Sequence, residues 1–149
     1  MNLRDLPLGS LIVRDGLASP ATVRDALFKA KETDRRLGEV MLAQGWISER
    51  DLARLLAEQA KLEFVDLAKV HPNEAAVDEL PQSVAQRAQA MAYAFDDEEL
   101  LVAVADPTDE HGLSEVRGAL DRRVRFTVAV PSEIEALSGA FGRPLLRTA

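Results

Sequence analysis

The chain has 149 residues, of which 47% are hydrophobic and 29% are charged, a composition typical of a folded globular protein rather than a disordered one. It contains no cysteine, which excludes disulfides and thiolate metal sites. The net charge of −7 argues against a nucleic-acid partner, because affinity for a phosphate backbone requires a basic face. No apolar run approaches the roughly 20 residues of a membrane span, and there is no signal-peptide pattern. We therefore expect a cytoplasmic protein without direct membrane insertion.

The first 60 residues contain an internal repeat. An offset of 29 residues relates these matched pairs: Leu8 and Leu37, Gly9 and Gly38, Gly16 and Gly45, Ser19 and Ser48, Val23 and Leu52, and Leu27 and Leu56. So many positions at one spacing indicate a single supersecondary unit that is built twice and packed against itself.

Each copy of the repeat predicts two helices. The first is short, over residues 8–15 in one copy and about 37–44 in the other, and each is followed by a glycine where a helix can end in a left-handed residue. The second helix follows a serine N-cap, Ser19 or Ser48. Apolar residues then recur at helical spacing, which predicts four helices in all.

Two features of the repeat have different interpretations. The leucine-type residues are expected to form the core between the helices: Leu11, Ile12, Leu27, Val40, Met41, Leu52 and Leu56. Gly9 and Gly38 are predicted at helix starts, where glycine lowers stability, so we interpret them as allowing another group to approach the backbone N–H donors.

The second half of the chain has a different pattern. An extended segment follows Gln59, and the predicted elements after it are one or two short helices over 73–89 broken at Pro81, strands over 90–95 and 100–105, a helix over 109–120, a third strand in RRVRFTVAV, and a last helix from Pro131. The order β-β-α-β-α indicates a small α/β unit.

The predicted fold class is α+β, with an N-terminal four-helix unit of two tandem helical hairpins and a small α/β subdomain with a three-stranded sheet. Residues 1–67 have a charge balance of −1 and the remainder one of −6. We therefore predict two subdomains, 1–67 and 68–149.

Catalytic chemistry is hard to find in this sequence. It has no G-x-x-x-x-G-K-[ST] phosphate loop, and His71 and His111 lack the spacing of metal ligands. The acidic run 96–99 is best explained as a solvated turn, and the repeat serines as helix caps rather than nucleophiles. We expect no enzymatic activity, no metal and no cofactor.

The stretch RLGEVMLAQGWISERDLARLLAEQ resembles the tandem motif of the MshEN family, the N-terminal domain of type II secretion and type IV pilus assembly ATPases. The family pattern is Arg-Leu-Gly, then Gly, then Leu-x-x-x-Leu-x-x-Gln, given twice. The later segments LLVAVADPTDEHGLSEVRGAL and RVRFTVAVPSEIEALSGAFG resemble the α/β part that follows it. The resemblance implies that the ATPase module is either absent from this chain or was cut away.

In that family the tandem motifs can bind cyclic di-GMP. The resemblance implies these site residues from the second copy: Arg36, Leu37, Gly38, Leu52, Leu56 and Gln59. A guanidinium can stack on a guanine or bond its O6/N7 edge, and leucines one turn apart offer an apolar wall. The backbone N–H groups at the start of the third helix can meet a phosphate.

The first copy departs from the pattern, because Pro7 stands at the arginine position and Ala30 at the glutamine position. It keeps Leu8 and Gly9, which the resemblance adds to the candidate ligand contacts, together with the matched Val23 and Leu27. Two function hypotheses remain open. The first is a non-enzymatic regulatory module that docks onto a protein partner of a secretion or pilus machine. The alternative is a cyclic di-GMP sensor with a degenerate first copy.

Overall fold

A computed structural model describes residues 5–142, with side chains from residue 8 onward. Its first unit consists of four helices: α1 (Asp5–Arg14), α2 (Pro20–Thr33), α3 (Leu37–Ala43) and α4 (Glu49–Ala60). They pack as two hairpins around one apolar core that includes Leu8, Ile12, Val23, Leu37, Met41 and Leu55. The predicted four-helix unit is confirmed.

The helix ends follow from local sequence. Ser19 accepts a hydrogen bond from the Thr22 N–H, and Ser48 accepts one from the Asp51 N–H, each at 3.0–3.1 Å. Gly16 and Gly45 adopt left-handed φ values of 70° and 72°, and each ends the short helix of its hairpin. These four local predictions are confirmed.

Gly9 does not lie at a helix start. Because α1 begins at Asp5, Gly9 is inside the helix and faces α2, where a Cβ atom would lie 3.0 Å from the Val23 Cγ1 atom. Gly38 does lie in the first turn of α3, but its missing side chain also serves packing. A Cβ there would lie 3.1 and 3.2 Å from the two Leu52 methyl groups. In both copies the glycine therefore allows two helices to approach closely.

The second unit is built on a sheet. Its elements are β1 (Glu63–Phe64), a 3₁₀ turn (Leu67–Lys69), α5 (Glu74–Glu79), α6 (Gln82–Ala88), β2 (Ala90–Asp96), β3 (Glu99–Val104), α7 (Glu110–Gly118), β4 (Val124–Val128) and α8 (Pro131–Ala140). The strand order is β1-β4-β3-β2, with β2 antiparallel to β3 and the other pairs parallel. Helices α6 and α7 cover one face, and α8 covers the other. The α+β class is confirmed.

The predicted three-stranded sheet is wrong, because the described part of the chain forms four strands. Strand β1 has two residues and pairs with β4 through Glu63–Thr127 and Phe64–Val128. Two residues are too few to show the alternation that identifies a strand, so this segment could only be predicted as extended.

Strand β1 also connects the two units. Helix α4 packs Ala53 and Ala57 against β4 and Phe64, which forms a small apolar cluster between the units. The carboxylate of Glu49 accepts hydrogen bonds from the backbone N–H and the hydroxyl of Ser132, both at 2.9 Å, in the first turn of α8. The contact between the helical unit and the sheet unit is thus apolar at its centre and polar at its edge. The boundary between residues 67 and 68 stays a prediction.

Candidate ligand-binding cleft

The second helical hairpin forms one side of a cleft, and the loop after β3 forms another. The cleft has a volume of about 160 Å³. Its described lining residues are Leu8, Arg36, Gly38, Glu39, Leu42, Leu52, Leu56, Gln59 and Asp106. Helices α3 and α4 contribute six of them, and the N-cap residue of α3, Arg36, is the seventh from the second hairpin; α1 and the α/β unit contribute one each.

Six of the eight residues predicted from the resemblance line this cleft: Leu8, Arg36, Gly38, Leu52, Leu56 and Gln59. Leu37 does not, because its side chain is fully buried in the helical core. Gly9 lies in the corresponding groove of the first copy. The structure therefore brings the second-copy residues together, and their role in binding stays a prediction.

Arg36 is the N-cap residue of α3 and makes no side-chain cap. Its side chain is 34% exposed rather than freely solvated, because Nη1 donates a hydrogen bond of 2.9 Å to Oδ2 of Asp106. The other Asp106 oxygen accepts from both the N–H and the hydroxyl of Thr108, at 2.9 and 2.5 Å. Asp106 is thus fixed by its own loop and holds the guanidinium at the mouth of the cleft by a charge-assisted bond.

Asp106 is the residue that the sequence analysis missed. It lies two residues after the end of β3, between the predicted strand over 100–105 and the predicted helix over 109–120. Strand β3 runs parallel to β4, and polar residues just beyond the carboxyl ends of parallel strands commonly form binding sites. The position of Asp106 beyond the carboxyl end of a parallel strand was the signal in the sequence that could have identified it.

Gln59 lies between the cleft and a second depression. This depression has a volume of about 290 Å³ and is lined by Gln59, Ala60, Pro107 and Thr108. The Asp106–Thr108 loop therefore borders both cavities, and a ligand larger than the cleft could extend past Gln59 along this loop.

The first copy forms a groove at the matching place. Its described lining residues are Gly9, Ser10, Val13, Arg14, Pro20, Val23, Arg24 and Leu27, around about 600 Å³. By the offset of the repeat, Gly9, Val23 and Leu27 correspond to Gly38, Leu52 and Leu56 of the cleft. Ala30, at the glutamine position, is buried in the helical core. The side chain of Pro7 lies outside the described residues. The first-copy groove thus repeats the apolar wall of the cleft without its glutamine.

The histidines considered as metal ligands do not lie together. His111 is 86% exposed and pairs with Glu115 one turn away, and His71 is exposed. Within residues 5–142, no three acidic or histidine side chains converge as metal ligands. None of the helices described there is both long and apolar enough to cross a membrane.

Comparison with known proteins identifies the family. The MshEN domain matches residues 60–147, more than half of the chain, and the chain belongs to this family. Type IV pilus assembly ATPase PilB of Thermus thermophilus is 32% identical over 135 residues, covering 90% of this chain and 15% of PilB. Bacteriophage adsorption protein B of Escherichia coli K12 is 28% identical over 128 residues, covering 86% of this chain and 17% of that protein. The chain therefore spans less than a fifth of the length of either relative.

Two solved structures have the same fold. MshE, solved with cyclic di-GMP (cdg), is 31% identical with a TM-score of 0.78 over 91% of this chain and 97% of that one. The N-terminal domain of XpsE is 22% identical with a TM-score of 0.72, over 98% and 99% of the two chains. The predicted resemblance to the N-terminal domains of secretion and pilus ATPases is confirmed, and these matches lie outside their catalytic domain.

Proposed function

We propose that this chain is a regulatory domain that binds cyclic di-GMP in the cleft of the second hairpin. The observation that carries the proposal is the meeting of Arg36, Gln59 and Asp106 around one apolar wall. The 31% identity to MshE, a protein solved with this dinucleotide, supports the choice of ligand.

The chemistry of the cleft suits a guanine base. The Arg36 guanidinium can donate to the O6 and N7 acceptors of guanine or stack on its plane. Guanine also carries N–H donors, for which the carboxylate of Asp106 is a charged acceptor. Leu52 and Leu56, one helical turn apart, offer an apolar surface to the base. One set of side chains thus complements both edges and a face of the ring.

The size of the cleft decides how much of the ligand it holds. Sites for drug-sized molecules have volumes of about 300–1,000 Å³, whereas this cleft has about 160 Å³. We therefore place one guanine in the cleft and the rest of the dinucleotide along the Asp106–Thr108 loop, toward the depression beyond Gln59.

A dinucleotide that needed both copies of the repeat would bind this chain more weakly, because the first copy is altered. Loss of a charged contact at the Pro7 position and of a hydrogen bond at the Ala30 position removes about 1.5–3 and 0.5–1.5 kcal/mol. Together these correspond to roughly thirty- to two-thousand-fold in affinity relative to a domain with two complete copies.

Isothermal titration calorimetry tests the proposal. Cyclic di-GMP should bind with a stoichiometry of one, and GMP, which offers a single base and no macrocycle, should bind at least about tenfold more weakly. Absence of binding heat at ligand concentrations up to about 1 mM would contradict the proposal, because that limit corresponds to only about −4 kcal/mol.

A second candidate function is protein docking within a secretion or pilus machine. It is favoured by the first-copy groove, which keeps the apolar wall of the cleft but not its glutamine. The two functions are compatible, because the cleft and the groove share no lining residue. Both place the chain in the cytoplasm, as a non-enzymatic domain.

The non-enzymatic part of the proposal rests on the missing phosphate loop. Purified chain should hydrolyse no ATP above the buffer background. Turnover that a point substitution in this chain abolishes would contradict it.

A further inference from the structure

We propose that the first-copy groove, lined by Gly9, Ser10, Val13, Arg14, Pro20, Val23, Arg24 and Leu27, binds an acidic amphipathic helix of a partner protein. This inference rests on the docking function proposed above and names its surface. It does not depend on the binding of cyclic di-GMP.

The floor of the groove is apolar and open. Val13 of α1 and Val23 and Leu27 of α2 lie along it, and its volume of about 600 Å³ exceeds that of the cleft. Gly9 allows the two helices to approach closely, since a Cβ there would lie 3.0 Å from Val23. An apolar trough between two helices is the shape into which an amphipathic helix places residues of one face.

The charged side chains that line the groove are both arginines, although the chain has a net charge of −7. The described lining residues include Arg14 and Arg24 and no carboxylate. Arg14 is already engaged, by Glu58 at 2.7 and 2.8 Å and by Asp15 at 2.9 Å. Arg24 is exposed and forms no ion pair with the residues that the structure describes. Arg24 is therefore the residue at the rim of the groove that can pair with a carboxylate of the partner.

An exposed aromatic residue extends the same surface. Phe28 is 66% exposed, the highest value among the large apolar side chains of the described residues. It follows Leu27 directly and lies one helical turn beyond Arg24, so both project from neighbouring parts of the same helix face. An aromatic side chain beside a cation at the edge of an apolar trough is a typical anchor of a protein interface.

The comparison of the two copies explains why the groove suits a protein rather than a nucleotide. The cleft of the second copy carries Arg36 and Gln59, whereas the groove has Ala30, buried in the core, at the glutamine position. The groove has no amide to bond a base, so its apolar floor favours the apolar side chains of a protein partner. The arginine at its rim favours acidic residues on either side of them.

The experiment uses a designed peptide and the full chain. The probe is a labelled 18-residue helical peptide with leucine at i, i+4 and i+7 on one face and glutamate on both flanks. A second peptide has lysine in place of every glutamate. Fluorescence anisotropy should give a dissociation constant of about 10–100 µM for the acidic peptide and at least tenfold weaker binding for the basic one.

Three variants locate the site. Arg24→Glu and Phe28→Ala, both at exposed positions, should each weaken the acidic peptide by about tenfold. Arg123→Glu makes the same charge change at an exposed position on the α/β unit and should leave binding unchanged. Methyl NMR shifts on addition of the acidic peptide should fall on Val13, Val23 and Leu27.

Three results would overturn the proposal: no binding of the acidic peptide up to about 1 mM, equal binding of the two peptides, or shifts on Leu42, Leu52 and Leu56 of the cleft instead. Arg24→Glu should bind cyclic di-GMP as the unaltered chain does. Failure of the docking surface and failure of the nucleotide cleft therefore give different results.

Discussion

Arg36 and Asp106 are 70 residues apart in the chain and are joined by a hydrogen bond of 2.9 Å between Nη1 and Oδ2. One belongs to the helical repeat and the other to the loop after β3, so the bond connects the two units across the cleft. Both side chains are only partly buried, and a bond in such a position adds little to stability. Its effect is to place a guanidinium and a carboxylate side by side where a ligand would enter.

Asp106→Asn removes the charge and keeps the shape. We expect the affinity for cyclic di-GMP to fall about tenfold, because a neutral amide holds the guanidinium less firmly and accepts less strongly from guanine. Stability should change by less than about 1 kcal/mol. Calorimetry and thermal unfolding measure the two effects. Asp121→Asn, at an exposed position before β4, is the control; equal affinities for both variants would exclude a role for Asp106.

Gly45 and Gly139 provide a matched test of backbone conformation. A Cβ meets nothing within 4 Å at either position, but Gly45 has a left-handed φ of 72° and Gly139 lies inside α8. Gly45→Ala should destabilise the fold by about 1 kcal/mol, whereas Gly139→Ala should stabilise it by about 0.5–1 kcal/mol. Urea unfolding of both variants checks this, and changes of the same sign would contradict it.

Tyr93 and Thr127 share a buried hydrogen bond of 3.1 Å between their hydroxyl groups. Tyr93→Phe leaves the Thr127 hydroxyl buried and unpaired, so we expect a loss of about 1–3 kcal/mol in the free energy of unfolding at pH 7. Chemical unfolding measures it. A loss below about 0.3 kcal/mol would show that another group satisfies Thr127.

Tyr93 also predicts that the fold loses stability at high pH. Burial raises the pKa of Tyr93 above its ordinary value. A group whose pKa is raised in the folded state stabilises the fold fully below its unfolded pKa, about 10 for tyrosine, and loses that contribution as the pH rises through the folded pKa. The advantage of the unaltered chain over Tyr93→Phe should therefore shrink above about pH 10. An advantage that stays constant up to pH 11 would contradict this.

The division into residues 1–67 and 68–149 is testable by limited proteolysis. Lys69 is exposed in the 3₁₀ turn just after the proposed boundary, so trypsin should cut there early. Because α4 packs on β4 and β1 pairs with β4, the two fragments should still elute together in gel filtration. A chain that resists trypsin throughout, or that is cut first inside α2, would count against the boundary.

The sequence predicted the features that depend on neighbouring residues, and it missed features that depend on contacts between distant parts of the chain. The caps at Ser19 and Ser48 and the left-handed Gly45 need only neighbouring residues, and these predictions are confirmed. Strand β1 exists because of its pairing with β4, more than 60 residues later, and its two residues carry no pattern. Gly9 was placed at a helix start, although it lies inside α1 opposite Val23, because a missing side chain does not indicate what approaches it.

The candidate site follows the same rule. Arg36 and Gln59 were predicted through the resemblance to the family motif, which is a local pattern. Asp106 was not, because only the packing of the two units brings it to Arg36. Leu37 shares the motif and yet lies in the core, since alternate faces of a short helix cannot all face one cleft.

Calorimetry with Arg36→Ala and its neighbour Arg35→Ala tests the central claim most directly. Arg35 is exposed and contacts Glu39 at 3.5 Å, whereas Arg36 lines the cleft, so the two variants remove the same charge at adjacent positions. Both should fold normally by circular dichroism. We predict that Arg36→Ala weakens cyclic di-GMP binding by at least about tenfold, the loss of one charged hydrogen bond, and that Arg35→Ala binds as the unaltered chain does. Equal binding by Arg36→Ala and the unaltered chain would contradict the assignment of the cleft.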